Sequence, residues 1–212
     1  MKIIDKQRVI EILESLYKGE NTALKYGSVF QLLVAVILSA QCTDERVNKV
    51  TPPLFEKYGT PKKMAEISLD ELISYIKPCG YYNSKAKHII SASKKIVENF
   101  GGVVPSNFND LISLDGVGRK TADVMIAVAF SGDAIPVDTH VFRVSNRIGL
   151  AKAKNVLQTE LQLQKVIDKS KWSNMHHYIL WHGRRVCKAR NPDCENCKIN
   201  LYCDFYAKNI KK

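Results

Sequence analysis

Four cysteines crowd into one short stretch near the C-terminus, Cys187-x6-Cys194-x2-Cys197-x5-Cys203. Thiolates that close can surround a tetrahedral metal ion or an iron–sulfur cluster, and the spacing alone suits zinc as well as iron. The first residues, Met1-Lys2-Ile3-Ile4-Asp5, lack the apolar core of a signal peptide. The group therefore reads as metal ligands before it reads as disulfides. Ligation would also staple a chain end with little core of its own. Cys42 and Cys79 stand apart and read as ordinary buried thiols.

A second constellation is Leu111-Ile112-Ser113-Leu114-Asp115-Gly116-Val117-Gly118-Arg119-Lys120-Thr121-Ala122-Asp123. A short helix, a tight Gly-x-Gly turn and a second helix make a helix–hairpin–helix. Gly116 and Gly118 leave no side chains in the way, so the unpaired amides opening the second helix can face a phosphate oxygen. Such contact reads the DNA backbone and not its sequence. Lys120 falls in the first turn of that second helix, where the helix dipole disfavours a cation by roughly 0.3–1 kcal/mol. A third constellation is Ile135-Pro136-Val137-Asp138-Thr139-His140-Val141. Taken alone, Asp138 is most simply a helix N-cap, and His140 suits either the surface or the interior.

The elements that must position these groups are helical. Val29 to Ala40 is apolar but interrupted by Gln31 and Ser39, and it falls short of the roughly 20 residues that span a bilayer. Ser68-Leu69-Asp70-Glu71 has the form of a capping box opening a helix that stops at Gly80. Asn83 is placed to cap a helix carrying Ala86, Ile89, Ile90, Ile96 and Val97 to a Gly101-Gly102 stop. Pro105-Ser106 opens a short helix to Leu114, Arg119 to Phe130 form another, Asp138 precedes Val141 to Ile148, and Ser173 precedes a helix through Trp181. No stretch alternates with period 2, so the class is all-α.

The net charge is +11, from 32 Lys and Arg against 21 acids, which points to a polyanionic partner. Lys171 to Lys212 alone holds nine Lys or Arg and three acids. Lys85, Lys87, Lys94 and Lys95 read as a solvated helix face. The lack of a signal-peptide core and of a long apolar run points to the cytoplasm, off the membrane, with nucleoid association if the polyanion is DNA. A monomer is expected.

Together the three constellations, in this order, resemble the endonuclease III family of helix–hairpin–helix DNA glycosylases. The resemblance runs from Val29-Phe30-Gln31-Leu32-Leu33 through Leu38-Ser39-Ala40-Gln41 to Cys203. It implies two helical domains with the active site in the cleft between them: a six-helix barrel with the hairpin over 22–132, and a cluster domain made of 1–21 plus 133–212. It implies a [4Fe–4S] cluster on Cys187, Cys194, Cys197 and Cys203. The implied activity is a bifunctional glycosylase and AP lyase of base excision repair. Its partner would be double-stranded DNA carrying damaged pyrimidines or abasic sites. Lys120 falls on the family's nucleophile and Asp138 on its catalytic carboxylate. Gly116, Val117, Gly118 and His140 fall at DNA contacts, and Gln41 and Tyr81 on the two positions that wedge into the duplex when a base is flipped.

Some residues depart from the family pattern. Tyr81 replaces a leucine, and an aromatic there can stack on bases or pack between helices. Asp115 replaces a proline and puts a negative charge beside the expected phosphate site. In the cysteine loop Lys188 and Arg190 are basic, but Asn191 and Asp193 stand where basic residues are usual. A mismatch-specific adenine glycosylase would share the hairpin, aspartate and cluster but lack the lysine at 120. A non-catalytic DNA-binding module would have no use for Lys120 and Asp138 together.

Overall fold

The computed structural model describes residues 5–209; Met1 to Ile4 and the basic residues Lys211 and Lys212 lie outside them. The described residues fold into two compact units, Ala23–Phe130 and a second made from the chain before Ala23 and after Phe130. Helices and turns account for both, and no strand occurs among the described residues.

The Ala23–Phe130 unit is built around α2 (Val29–Ser39). Its sequence has no polar face, and Leu32 to Leu38 are all buried, as a helix that is apolar all round must be. Around it stand α3 (Asp44–Tyr58), α6 (Tyr82–Phe100) and α8 (Arg119–Ala129). Two short helices, α4 (Pro61–Glu66) and α5 (Leu69–Ile76), lie against α6. The last, α7 (Phe108–Ile112), packs on α8. Buried Leu, Ile, Val and Met side chains from all these helices form one cluster, each contributing roughly 1.5–3 kcal/mol on leaving water.

Start signals fix most of these helices. Ser28, Thr43, Thr60, Ser68 and Asn107 each accept a hydrogen bond from a first-turn amide. Four expectations change. The Ser68 box is half closed: Ser68 Oγ takes the Glu71 amide at 3.2 Å, but the Glu71 carboxylate turns to Lys57 and Tyr58 instead. Its helix ends at Ile76, before Pro78 rather than at Gly80. Asn83 caps nothing; α6 begins at Tyr82 behind Tyr81, whose backbone is left-handed. The cap of α7 is Asn107, two residues inside the expected start.

In the second unit α1 (Lys6–Tyr17) and α9 (Thr139–Ile148) pack on α11 (Trp172–Arg185), with α10 (Val156–Val166) and α12 (Asp204–Asn209) on α9. α11 begins at Trp172, with Ser173 inside it, directly after a 3₁₀ turn over Lys169–Lys171. The core joins Val9, Ile10 and Leu13 of α1 to Val141, Val144 and Ile148 of α9 and Met175 and Ile179 of α11. The α9–α11 crossing depends on Gly183. A Cβ there would stand 3.0 Å from Val144 Cγ2 and 3.1 Å from His140 Cβ, so both side chains would have to give by a few tenths of an ångström in a close-packed contact. No described helix is long and apolar enough to cross a membrane.

Candidate active site and cysteine centre

The hairpin is α7, the turn 113–118 and α8. Leu111, Leu114 and Val117 are buried and anchor it, and the turn is closed by the Val117 amide donating to Leu114 O at 3.1 Å. Gly116 has φ +78°, and a Cβ there would meet His88 Cβ of α6 at 2.8 Å; both facts demand glycine. Two further contacts bolt the turn to α6. Ser91 Oγ donates to the Asp115 carboxylate at 2.5 Å, and Lys95 Nζ donates to Ser113 O at 2.7 Å. The unexpected charge of Asp115 is thus engaged by Ser91. Gly118 heads α8 with no side-chain cap, leaving the first-turn amides to an outside acceptor. Lys120 stands exposed in that first turn, while the Arg119 guanidinium lies 4.9 Å from the centre of the Phe108 ring.

Gln41 and Tyr81 share an uncommon feature: left-handed backbone at non-glycine residues, φ 52° and φ 57°. Their loops touch, since a Cβ on Gly80 would lie 3.2 Å from Gln41 O. Buried Lys85 locks them together, donating from α6 to Leu38 O at 2.8 Å and Ala40 O at 2.6 Å. It satisfies carbonyls left over at the end of α2, and burial pushes its pKa down. Lys85 is therefore not part of a solvated face. Cys42 and Cys79 flank the same loops with their thiols hydrogen-bonded, and burial pushes Cys79 up to about 11. Cys42 is only half-buried. The Tyr81 side chain is 69% exposed, so it does not pack between helices.

Asp138 belongs to the second unit. Ile135 and Val137 are buried on either side of Pro136, which hands the chain to α9. Asp138 Oδ1 accepts the Val141 amide at 2.7 Å, the N-cap expected from its position. His140 Nδ1 lies 3.1 Å from Arg143 Nη2; since arginine only donates, this nitrogen accepts and the ring proton sits on Nε2. Burial lowers the His140 pKa against the opposing pull of Asp138. Arg143 also donates to Gly183 O at 2.9 Å and to Cys187 O at 3.2 Å, tying the start of α9 to the cysteine loop.

All four cysteines of that loop line one cavity, partly open to solvent, together with Arg147, His182 and Phe205. Among the described residues no three His, Cys, Asp or Glu side chains are grouped tightly enough for a single metal ion. The thiols surround a hollow and do not converge on a point. Donors surround them in turn. Arg147 Nη1 lies 3.7 Å from Cys187 Sγ and donates to Lys188 O at 2.7 Å. The Ile199 amide serves Cys197, and the Phe205 and Tyr206 amides serve Cys203. Burial pushes Cys197 up to about 11 and raises Cys194 and Cys203, so a thiolate-binding group must displace protons there.

Sequence reasoning misplaced Lys85 on a solvated face and missed Arg143 and Arg147. The two arginines sit four apart, on one face of a helix whose partner loop holds the cysteines. That spacing was the available signal.

Residues 34–169 match the HhH-GPD superfamily of base excision DNA repair proteins. The chain belongs to this family. Within it the likeness is to endonuclease III. The endonuclease III of Rickettsia conorii is 47% identical over 199 residues, covering 94% of this chain and 95% of its own. A trapped covalent intermediate of an endonuclease III with DNA superposes with a TM-score of 0.91 at 40% identity, covering 97% of this chain and 99% of that one. A non-covalent endonuclease III–DNA complex does so at 0.92, again 40% identical, covering 99% and 100%. The all-α helix–hairpin–helix glycosylase fold expected from the sequence is the fold found, and this endonuclease III relative is a DNA glycosylase of base excision repair.

Proposed function

We propose that this glycosylase removes oxidised pyrimidines from double-stranded DNA and then cleaves the abasic strand by β-elimination, with Lys120 as nucleophile and Asp138 as catalytic carboxylate. The observation that carries the reading is an exposed lysine in the first turn of a helix whose opening amides have no side-chain cap. Those amides would hold a backbone phosphate and bring the flipped nucleotide to the amine. The 40% identical endonuclease III trapped covalently on DNA supports an attacking side chain.

In this chemistry the bond from C1′ to the damaged base breaks as the sugar takes on oxocarbenium character, which the Asp138 carboxylate stabilises. The neutral amine of Lys120 forms the new bond to C1′, and ring opening gives a Schiff base. Loss of a C2′ proton then expels the 3′ phosphate. Hydrolysis of the imine returns the lysine. Gln41 and Tyr81, held by Lys85 on two strained backbones, would fill the space left by the flipped base. His140, with its Nε2 proton, and the hairpin residues Gly116, Val117 and Gly118 would contact the DNA.

Cys187, Cys194, Cys197 and Cys203 fit a [4Fe–4S] cluster better than a lone ion, because they surround a cavity and do not meet at a point. When bound, the cluster would act by holding the cysteine loop, and through Arg143 the start of α9, in place. On this reading Ala23–Phe130 is the hairpin-bearing barrel domain and the other unit is the cluster domain, and a monomer meets its DNA in the cytoplasm.

The test is base release from duplexes that each carry one defined lesion. Release of an oxidised thymine or cytosine, followed by strand cleavage, is expected. Release confined to an oxidised purine, or to adenine in a mismatch, would overturn the substrate assignment.

A further inference from the structure

Beside the cysteine centre runs a hydrogen-bonded pair with no part in the proposed reaction. Tyr17, the last residue of α1, and His182, in the last turn of α11, are both buried, with exposures of 5% and 1%. Tyr17 Oη lies 3.0 Å from His182 Nδ1, and the rings meet edge to face at 78°. The other ring nitrogen, Nε2, lies 3.6 Å from Cys197 Sγ.

Only one direction of proton placement suits a sulfur that ligates a metal. A neutral imidazole carries a single N–H. With that proton on Nδ1, the lone pair of Nε2 would face an electron-rich thiolate at contact distance. With the phenol donating to Nδ1, the ring proton is left on Nε2, aimed at Sγ. The hydroxyl of Tyr17 therefore selects the tautomer, as partners of metal-site histidines commonly do.

Resting on the reading that the four cysteines hold an iron–sulfur cluster, we propose that Tyr17 and His182 form a relay that donates an N–H···S bond to Cys197 and so sets the reduction potential of the cluster. A hydrogen bond to a ligand sulfur withdraws electron density and favours the more reduced cluster. The other donors around the thiols are backbone amides and the permanent cation of Arg147. This relay alone among them depends on one removable oxygen atom. Tyr17 is a positioning residue on this account, and His182 the group that touches the ligand.

The test compares the iron-loaded full chain with Tyr17→Phe, which keeps the ring and deletes the oxygen. Iron and sulfide content, the midpoint potential from a redox titration and the Fe–S(Cys) stretching frequencies are read on both. Equal iron and sulfide, a lower midpoint potential and shifted stretches in Tyr17→Phe are expected. Equal loading with an unchanged potential and unchanged stretches would overturn the relay while leaving the cluster reading intact. A colourless wild-type protein holding zinc would instead overturn the cluster reading, and the relay with it. If Tyr17→Phe does not fold, the tautomer is read in the wild type by 15N NMR of labelled histidine. A protonated Nε2 and a bare Nδ1 at His182 support the relay, and the converse overturns it.

Discussion

At Asp138 one carboxylate oxygen accepts the Val141 amide at 2.7 Å, and the proposed chemistry needs the same side chain to carry a charge. Asparagine separates the two duties, since it caps as well as aspartate but is neutral. Asp138→Asn should melt within about 0.5 kcal/mol of the wild type, whereas Asp138→Ala should lose about 0.5–2 kcal/mol. Base release by the Asn variant should fall by orders of magnitude, and its turnover of a pre-formed abasic site much less, because no glycosidic bond remains to break. Chemical denaturation and single-turnover assays on the two substrates check this; a stable Asn variant that releases base normally would leave Asp138 as a cap only. Residues like Asp138 and the four cysteines can be read from sequence because chemistry restricts their type and spacing. Asp115 and Lys85 cannot. The partner of Asp115 is Ser91 on another helix, and those of Lys85 are the end carbonyls of α2. Neither partnership leaves a local pattern.

Elements were legible where their ends are signalled locally. Ser68 and Asp138 cap as their sequence positions imply, and α6 stops at Gly101. The failures come from tertiary contacts that override local preference. α6 starts from left-handed Tyr81 and not from Asn83, because the loop before it is set against Gln41. α3 runs from Asp44 to Tyr58 through Pro52 and Pro53, although proline disrupts a helix interior; burial of Val47, Val50 and Leu54 on one face outweighs them. The hairpin gives the matching experiment. Gly116→Ala places a side chain at φ +78° and 2.8 Å from His88 Cβ, a left-handed cost of about 1–2 kcal/mol before any clash. Lower thermal stability and a several-fold weaker affinity for undamaged duplex are expected, measured by calorimetry and by anisotropy. Unchanged DNA affinity would remove the hairpin from the DNA interface.

For the molecule as a whole, acid sensitivity has a definite sign. His177 is buried, its Nε2 has no hydrogen-bond partner among the described residues, and burial with the neighbouring His176 pushes its pKa down to about 3. The folded value lies below the unfolded value of about 6.5, so the unfolded chain binds the proton first. The stability held by neutral His177 is complete above pH 6.5 and drains away as the pH falls towards 3. Melting temperature should therefore drop more steeply between pH 6.5 and 4 in the wild type than in His177→Leu; parallel curves would exclude His177 as a source. The two-unit organisation itself was less legible than the helices, since no Pro-, Gly- or Ser-rich linker marks the crossings near Thr22 and Phe130. The proposed reaction asks Lys120 and Asp138 to act on a single nucleotide. Borohydride trapping on a duplex with one abasic site tests that most directly, because reduction converts a lysine Schiff base into a permanent protein–DNA bond. Wild-type protein and Asp138→Asn should both give the covalent product, and Lys120→Gln should give none while still binding the duplex. Trapping by Lys120→Gln at the wild-type level would contradict the assignment of Lys120 as nucleophile.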